Sequence, residues 1–289
     1  MEAIMHVSST FLTLALAALP LCAAADPLHN AMLTPQTADW APAKERYQAI
    51  VLNDPEERQK ISGFFNLFVV DTRRADRARD IFPAAAPELM RYMRDQTHIE
   101  AQVGSAALRL SDPAIFSAPV LYMTGNDGIL SPSQTARENL GHYLRNGGFL
   151  FAEEIRQTSL STGLPAEGAG VKGTPFDMQF KALIKDPLVL GSEGRHWHKV
   201  PLDHPIYSSY WDFAHGPPLG GAPGGNVFDL ELLEVRGRVV AVFSDLNISW
   251  YWGDPAVDAR ERALQFGTNL MVFALTQPGG LANTISYIP

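Results

Sequence analysis

The sequence predicts an α/β protein with a doubly wound, mostly parallel, flavodoxin-like sheet, and three observations point to this fold class. Short, continuous apolar runs, typical of strands buried on both faces, alternate with segments whose apolar residues recur at helical spacing. The chain has 289 residues, 46% of them hydrophobic, so it can fill a large core. Only 19% of the residues are charged, as in ordinary globular proteins. Strands and helices in this alternation favour a parallel sheet with helices on both faces.

Three apolar runs predict the central strands, at residues 64–70, 119–124 and 149–152. Apolar spacing predicts a helix after each of the first two runs, over 87–94 and over 131–144. Ser131 can cap the second helix, and Pro132 suits its first turn. This succession predicts one parallel sheet.

The second half of the chain contains weaker signals. Residues 176–184 and 259–275 have helical apolar spacing, and the second of these is expected to be a closing helix on the sheet. Two strand-like runs, 229–235 and 239–244, flank Arg236-Gly237-Arg238 and predict a C-terminal β-hairpin. Residues 201–207 are expected to be extended, and residues 216–226 a glycine-rich loop. No interdomain linker is evident, so the pattern predicts the following division: a signal peptide 1–25, a leader 26–62, one α/β domain 63–276 and a tail 277–289.

The first 25 residues have the pattern of a secretory signal. Residues 11–21 form an apolar stretch that is too short to span a membrane, and Ala23-Ala24-Ala25 supplies a cleavage site of the A-x-A type. The segment before the apolar stretch has no Lys or Arg, which leaves a misassigned start as the alternative. The expectation is a periplasmic or secreted protein whose mature chain has no transmembrane span. Cleavage removes Cys22, the sole cysteine, and with it disulfides, thiolate metal sites and cysteine nucleophiles.

The charge balance disfavours nucleic acid as a partner. The formal net charge is −8, and the densest basic stretch, residues 73–80, is interrupted by two aspartates. Binding to a phosphate backbone needs a clustered Lys and Arg surface. The mixed run is therefore interpreted as a solvated face.

Seven short motifs follow one another in an order that resembles one protein family. They lie at residues 81–92, 110–113 together with 119–125, 144–154, 203–207, 237–238, 244–246 and 267–269. This order resembles the domain of unknown function 4159 (DUF4159) family, which is similar in fold to class I glutamine amidotransferases and ThuA-like proteins. The resemblance covers residues 63–276 and implies a flavodoxin-like α/β sandwich, often found in exported or membrane-associated bacterial proteins. It implies no known activity.

The chain departs from the family pattern at two places. Glu153-Glu154 stands where the family usually has two aspartates, and residues 247–253 replace an acidic, glycine-rich stretch. A site that depends on the reach of those carboxylates is therefore expected to differ here.

The candidate site residues follow the predicted strands, because open α/β sheets bind ligands at the carboxyl ends of their strands. Glu153, Glu154 and Asp245, together with His204, could act as a general acid and base or hold a hard cation. The alternative is that Glu153 orders a loop and that His204 caps the turn before Pro205.

Ligand-binding candidates at the same edge are Thr124, Gly125 and Asn126, with Trp250 as part of an aromatic platform that also contains Trp211, Tyr251 and Trp252. Core packing explains the aromatic residues equally well. His196 and His198 could bind a transition metal, but their pattern favours a surface loop, so no metal site is predicted. The cofactor stays unknown, and the chain has no Walker loop for phosphate binding. Serine acyl transfer is disfavoured, because the chain has no Gly-x-Ser-x-Gly elbow.

Two functions remain open at this point. The first is a non-catalytic, amidotransferase-like module that binds a small molecule or a membrane-anchored protein partner. The second is a hydrolase that acts on a carbohydrate-like substrate through the carboxylates and His204. Convergence of these side chains on one pocket would favour the enzyme.

Overall fold

The computed structural model describes residues 40–54, 56–72, 83–125, 130–155, 175–218, 230–255 and 259–286. Within these ranges the helices are α1 (Ala41–Lys44), α2 (Ala85–Gln96), α3 (Gln134–Arg145), α4 (Pro175–Ile184), α5 (Ile248–Gly253) and α6 (Arg260–Thr276). The strands are β1 (Ala49–Asn53), β2 (Ser62–Val69), β3 (His98–Val103), β4 (Val120–Gly125), β5 (Phe149–Glu154), β6 (Trp197–Lys199), β7 (Glu231–Val235), β8 (Arg238–Ser244) and β9 (Asn283–Ser286).

The nine described strands form one mixed sheet. Its central part is parallel: β2 pairs with β3 and with β4, β4 pairs with β5, and β5 pairs with β8. Beyond β8, β7 and then β6 continue the sheet in antiparallel fashion. At the other end, β1 pairs antiparallel with the first half of β2, and β9 pairs parallel with β1. The α/β class is confirmed, with a sheet that is mixed.

Each face of the sheet carries its own hydrophobic core. Successive residues of a strand point to opposite faces, so Phe149 and Phe151 of β5 belong to one cluster and Leu150 and Ala152 to the other. The first cluster contains side chains of α2, α5 and α6, and the second contains side chains of α3 and α4. Every side chain of β5 is buried, which explains why this strand is continuously apolar until its last two residues.

The central strands and the long helices lie where the apolar patterns predict them. Helix α3 begins at Gln134, two to three residues later than predicted, because Ser133 rather than Ser131 accepts the capping hydrogen bond, from the Ala136 N–H at 3.2 Å. The predicted hairpin is present, and Arg236 and Gly237 at its turn both have positive φ, as a tight hairpin turn requires.

Other segments differ from the expectation. Strands β1 and β9 extend the sheet into the predicted leader and tail. β1 pairs with β2, the next strand along the chain, whereas β9 pairs with β1, which lies far away in the chain. Strand β3 and helix α5 were not predicted. Residues 205–207 form a short 3₁₀ turn instead of an extended segment, since the His204 side chain caps it.

Several predicted features lie outside the described residues: the signal peptide 1–25, Cys22, the basic run 73–80, Asn126 and most of the glycine-rich loop. Across the described part of the chain, no helix combines the length and the apolar character needed to cross a membrane.

Candidate functional site

The predicted site lies at the carboxyl ends of the central strands β2, β4, β5 and β8. Glu153 and Glu154 are adjacent on β5, so their side chains point to opposite faces of the sheet. The structure therefore separates these two residues, and each has a different set of neighbours.

Glu153 holds the turn between β8 and α5. Its side chain is fully buried, and Oε1 accepts hydrogen bonds from Ser244 Oγ at 2.6 Å and from the Ile248 N–H at 2.7 Å. Oε2 accepts from the Ser249 N–H at 2.7 Å and from Ser249 Oγ. Burial raises the pKa of the Glu153 carboxyl, and the four donors act against that rise. The loop-ordering interpretation of Glu153 fits these contacts.

Glu154 lies on the other face, beside α4. Its Oε2 accepts a hydrogen bond from the Asp177 N–H at 3.3 Å, at the beginning of that helix. One turn later, Lys181 Nζ lies 2.7 Å from Asp177 Oδ1 and also forms an ion pair with Glu231 of β7. Although burial acts against it, contact with these two carboxylates raises the pKa of Lys181, so the amine remains charged. We refer to Asp177, Lys181 and Glu231 as the lysine cluster.

Asp245 follows β8 and lies next to the lysine cluster. The residue is only 6% exposed, and its Oδ1 has no hydrogen-bond partner among the residues that the structure describes. Burial, followed by the negative charge of Asp177, raises the pKa of Asp245 to about 7. Asp245 is thus a buried acid that changes its charge near neutral pH.

His204 lies towards the amino-terminal end of β5, away from the carboxyl ends of the strands. Its Nδ1 accepts from the Ile206 N–H at 3.2 Å, and its ring centroid is 5.1 Å from that of Phe273. The Phe273 ring in turn packs against Phe149, the first residue of β5. Glu153 is four residues further along this strand, or roughly 13 Å. Burial lowers the pKa of His204. The structure does not bring His204 together with the three carboxylates.

The ligand-binding candidates on β4 lie at the predicted edge. The Thr124 carbonyl accepts from Thr72 Oγ1 at 3.4 Å, which connects the ends of β4 and β2. A Cβ on Gly125 would lie 2.2 Å from the Phe176 ring, so glycine permits the close approach of α4. Among the predicted platform residues, Trp252 is fully buried and donates to the Ala263 carbonyl at 2.8 Å, whereas Trp250 is partly exposed.

The described residues contain no group of three or more His, Cys, Asp or Glu side chains that could hold a metal ion. His196 and His198 flank Trp197 at β6, a short strand at the edge of the sheet. His198 Nδ1 lies 3.4 Å from the His196 carbonyl oxygen.

A cavity of about 170 Å³ lies between the carboxyl ends of β2 and β4. Its polar lining consists of Asp71, Thr72, Arg109, Ser111, Ser131 and Ser133. The remainder of the lining is apolar and includes Ala136 of α3 and Leu183 of α4. Arg109 is exposed, so the cavity opens to solvent, and no carboxylate within the described part of the chain forms an ion pair with it. We call this space the β2–β4 cavity.

Sequence reasoning missed the residues that line this cavity and the lysine cluster. Asp71 and Thr72 follow the first predicted strand directly, so the rule that placed Glu153 at a strand end could have identified them. The spacing of Asp177 and Lys181, four residues apart on a predicted helix, also indicated an ion pair. No local signal marked Arg109, because it follows the unpredicted strand β3.

Comparison with models of protein families identifies the family of this chain. The family model of DUF4159, a domain of unknown function, matches residues 67–275. A search of curated proteins gives no significant match. The matched region begins in β2 and ends in α6, so it contains the parallel part of the sheet and both sites described above. The chain therefore belongs to the DUF4159 family.

Proposed function

We propose that this protein is an exported, non-catalytic binding module with an amidotransferase-like, ThuA-like fold, and that it binds a small hydroxylated anion in the β2–β4 cavity. The observation that carries the proposal is the position of the cavity. The cavity lies at the point where the winding of the sheet reverses. The strand after β2, which is β3, pairs with β2 on one side, and the following strand, β4, pairs with β2 on the other side.

The strand pairings support the flavodoxin-like part of the proposal. Read across the sheet, the parallel strands follow the order β3-β2-β4-β5-β8, which is the 2-1-3-4-5 order of doubly wound folds. The helix after β2 packs on one face, and the helix after β4 packs on the other. Ligands of such sheets bind at the point where the winding reverses.

The lining of the cavity supports an anionic ligand with hydroxyl groups. Arg109 supplies a guanidinium that can bind a carboxylate or phosphate, and the N-terminus of α3 adds a favourable dipole. Asp71 and the serine hydroxyls offer partners to ligand hydroxyls. The volume is below the roughly 300–1,000 Å³ of pockets for drug-sized ligands, so the ligand is small.

The separation of the predicted catalytic groups supports a non-catalytic role. Glu153 uses both oxygens to hold a turn, and His204 lies towards the far edge. The only cysteine, Cys22, precedes the matched region. No observation favours the carbohydrate hydrolase, which needs these groups in one pocket. The apolar stretch 11–21 and the following A-x-A site support export.

The first prediction tests the β2–β4 cavity. We expect phosphate, glycolate, malate or gluconate to raise the melting temperature of the purified protein, because a ligand at 100 times its Kd adds about 2.7 kcal/mol of stability. Arg109→Gln should abolish the shift, since it removes the cation, and Ser111→Trp should abolish it by filling the space. Differential scanning fluorimetry followed by calorimetric titration measures both effects.

Arg46→Gln is the matched control, because Arg46 is also exposed but lies outside the cavity. This control should bind as the unchanged protein does. Binding that survives in both cavity variants would place the ligand elsewhere. The absence of a shift with all four anions would refute the proposed ligand class.

A further inference from the structure

Three carboxylates meet one ammonium group on the α4 side of the sheet, away from the β2–β4 cavity. Lys181 Nζ lies 5.0 Å from the centroid of the Phe243 ring, and Phe243 pairs with Glu231 across β7 and β8. Phe243 and Asp245 are two residues apart, so their side chains share a face. The charges of Asp177, Glu231 and Lys181 all act on Asp245.

Lys181 already has two partners in this cluster. It forms ion pairs with Asp177 and Glu231, and both carboxylates are largely buried, with exposed side-chain fractions of 6% and 13%. When Asp245 is ionised, at least three negative charges therefore face one positive charge, because Glu154 also lies on this face, beside α4. The third carboxylate lacks a counter-ion.

Asp245 Oδ1 is the second observation, and it is independent of the charge count. The residue is 94% buried, yet this oxygen accepts no hydrogen bond from any part of the chain that the structure describes. A buried polar atom without a partner costs about 1–3 kcal/mol, and more when it is charged, so such atoms are rare in native proteins. A donor from outside the chain would remove this cost.

We propose that Asp245, beside the lysine cluster, forms a binding site for a small ammonium group that donates an N–H hydrogen bond to Asp245 Oδ1. This site is separate from the β2–β4 cavity and goes beyond the proposed function. Its ligand is either the free ammonium ion or the primary amine of a larger molecule.

The donor set favours an ammonium over a divalent cation. Ca²⁺ takes six to eight oxygen ligands and Mg²⁺ six, whereas two of the three acids here are already engaged by Lys181. No metal-holding group of His, Cys, Asp or Glu is present among the described residues. An ammonium needs only one unoccupied oxygen for its first hydrogen bond, and its charge offsets the excess negative charge.

The test measures the melting temperature of the full chain at pH 8, where Asp245 is ionised, with four chloride salts at equal ionic strength. Ammonium and methylammonium carry N–H donors, whereas tetramethylammonium and sodium do not. We expect the first two to raise the melting temperature by about 2–4 °C relative to the other two. The effect should shrink at pH 5, where Asp245 is protonated.

Asp245→Asn should remove this difference, because an amide has the same shape but no charge. Asp203→Asn, at an exposed aspartate, should retain it. A shift with ammonium alone identifies the free ion as the ligand, and an equal or larger shift with methylammonium identifies an amine head group.

Two outcomes overturn the proposal. The first is that, in the unchanged protein at pH 8, tetramethylammonium or sodium raises the melting temperature as much as the two cations with N–H donors do. This outcome would show that no N–H hydrogen bond is formed. Alternatively, the shift persists in Asp245→Asn. The comparison of salts does not depend on a variant, so it decides the question even if Asp245→Asn folds poorly.

Discussion

At the scale of the residue, burial alone does not reveal the role of an acid, because Glu153 and Asp245 are both buried at the same edge of the sheet. Glu153 accepts four hydrogen bonds, two of them from backbone N–H groups of α5. Asp245 has an oxygen with no described partner. The number of hydrogen-bond donors around each carboxylate therefore distinguishes Glu153, which stabilises the fold, from Asp245, which we propose binds a ligand.

A second prediction concerns Glu153. We expect Glu153→Gln to lower the free energy of unfolding by about 2–4 kcal/mol, because the amide turns an N–H₂ group towards N–H and O–H donors and leaves buried groups unpaired. Urea denaturation at pH 7 measures the loss. Glu45→Gln, at an exposed position, should change stability by less than about 0.5 kcal/mol. A neutral or stabilising effect of Glu153→Gln would instead indicate a carboxylate kept for function at a cost in stability.

At the scale of the element, two glycines show what positive φ demands from the sequence. Gly237 has φ +75° in the hairpin turn, and a Cβ there would meet no atom within 4 Å. Gly63 has φ +139° in β2, where a Cβ would lie 2.1 Å from the Ile50 carbonyl oxygen of β1. One glycine is required only by its dihedral angle, and the other also by the approach of a neighbouring strand.

The third prediction uses these two glycines as a matched pair. Gly237→Ala should cost about 1 kcal/mol, which is the penalty for a side chain at positive φ. Gly63→Ala should cost clearly more, because the β1 backbone must move or lose its hydrogen bonds to β2. Equilibrium denaturation of both variants gives the comparison. Equal losses would mean that β1 contributes little to the stability of the sheet.

At the scale of the whole molecule, the buried acids make stability depend on pH. The pKa of Asp245 is about 7 in the folded protein, against about 3.9 in an unfolded chain. The folded state therefore holds this proton more tightly than the unfolded state. The resulting stabilisation is fully present below pH 4 and is lost as the pH rises through 7. Glu153, whose pKa is also raised, acts in the same direction.

The fourth prediction isolates the contribution of Asp245. Between pH 4 and pH 8, the unchanged protein should lose on the order of 4 kcal/mol relative to Asp245→Asn, because asparagine does not titrate. The charged groups on the face of Asp245 are Asp177 and Lys181 on α4, Glu231 on β7 and Glu154 on β5, so these must be kept intact in both proteins. Urea denaturation across this pH range gives the difference. A difference that stays constant with pH would show that the pKa of Asp245 is the same in the folded and unfolded states.

The candidate site could be predicted only in part, and the reason is the geometry of the strand. The rule that ligands bind at strand ends identified Glu153, Glu154 and Asp245 from their positions in the sequence. The alternation of side chains then separates Glu153 from the other two, and this depends on which helix covers which face. The sequence analysis grouped His204 with these acids. In the structure, His204 lies towards the opposite ends of the strands, because the turn at Pro205 packs against α6.

Local patterns in the sequence determined the α/β class, the central strands, the long helices and the hairpin, because apolar periodicity and turn chemistry act over a few residues. The motif order determined the family. Only the tertiary structure decided the pairing of β1 with β9, the β2–β4 cavity and the unpaired oxygen of Asp245. These features depend on contacts between residues distant in the chain, whose free energy is set by burial and by the supply of donors and is not encoded in any short segment.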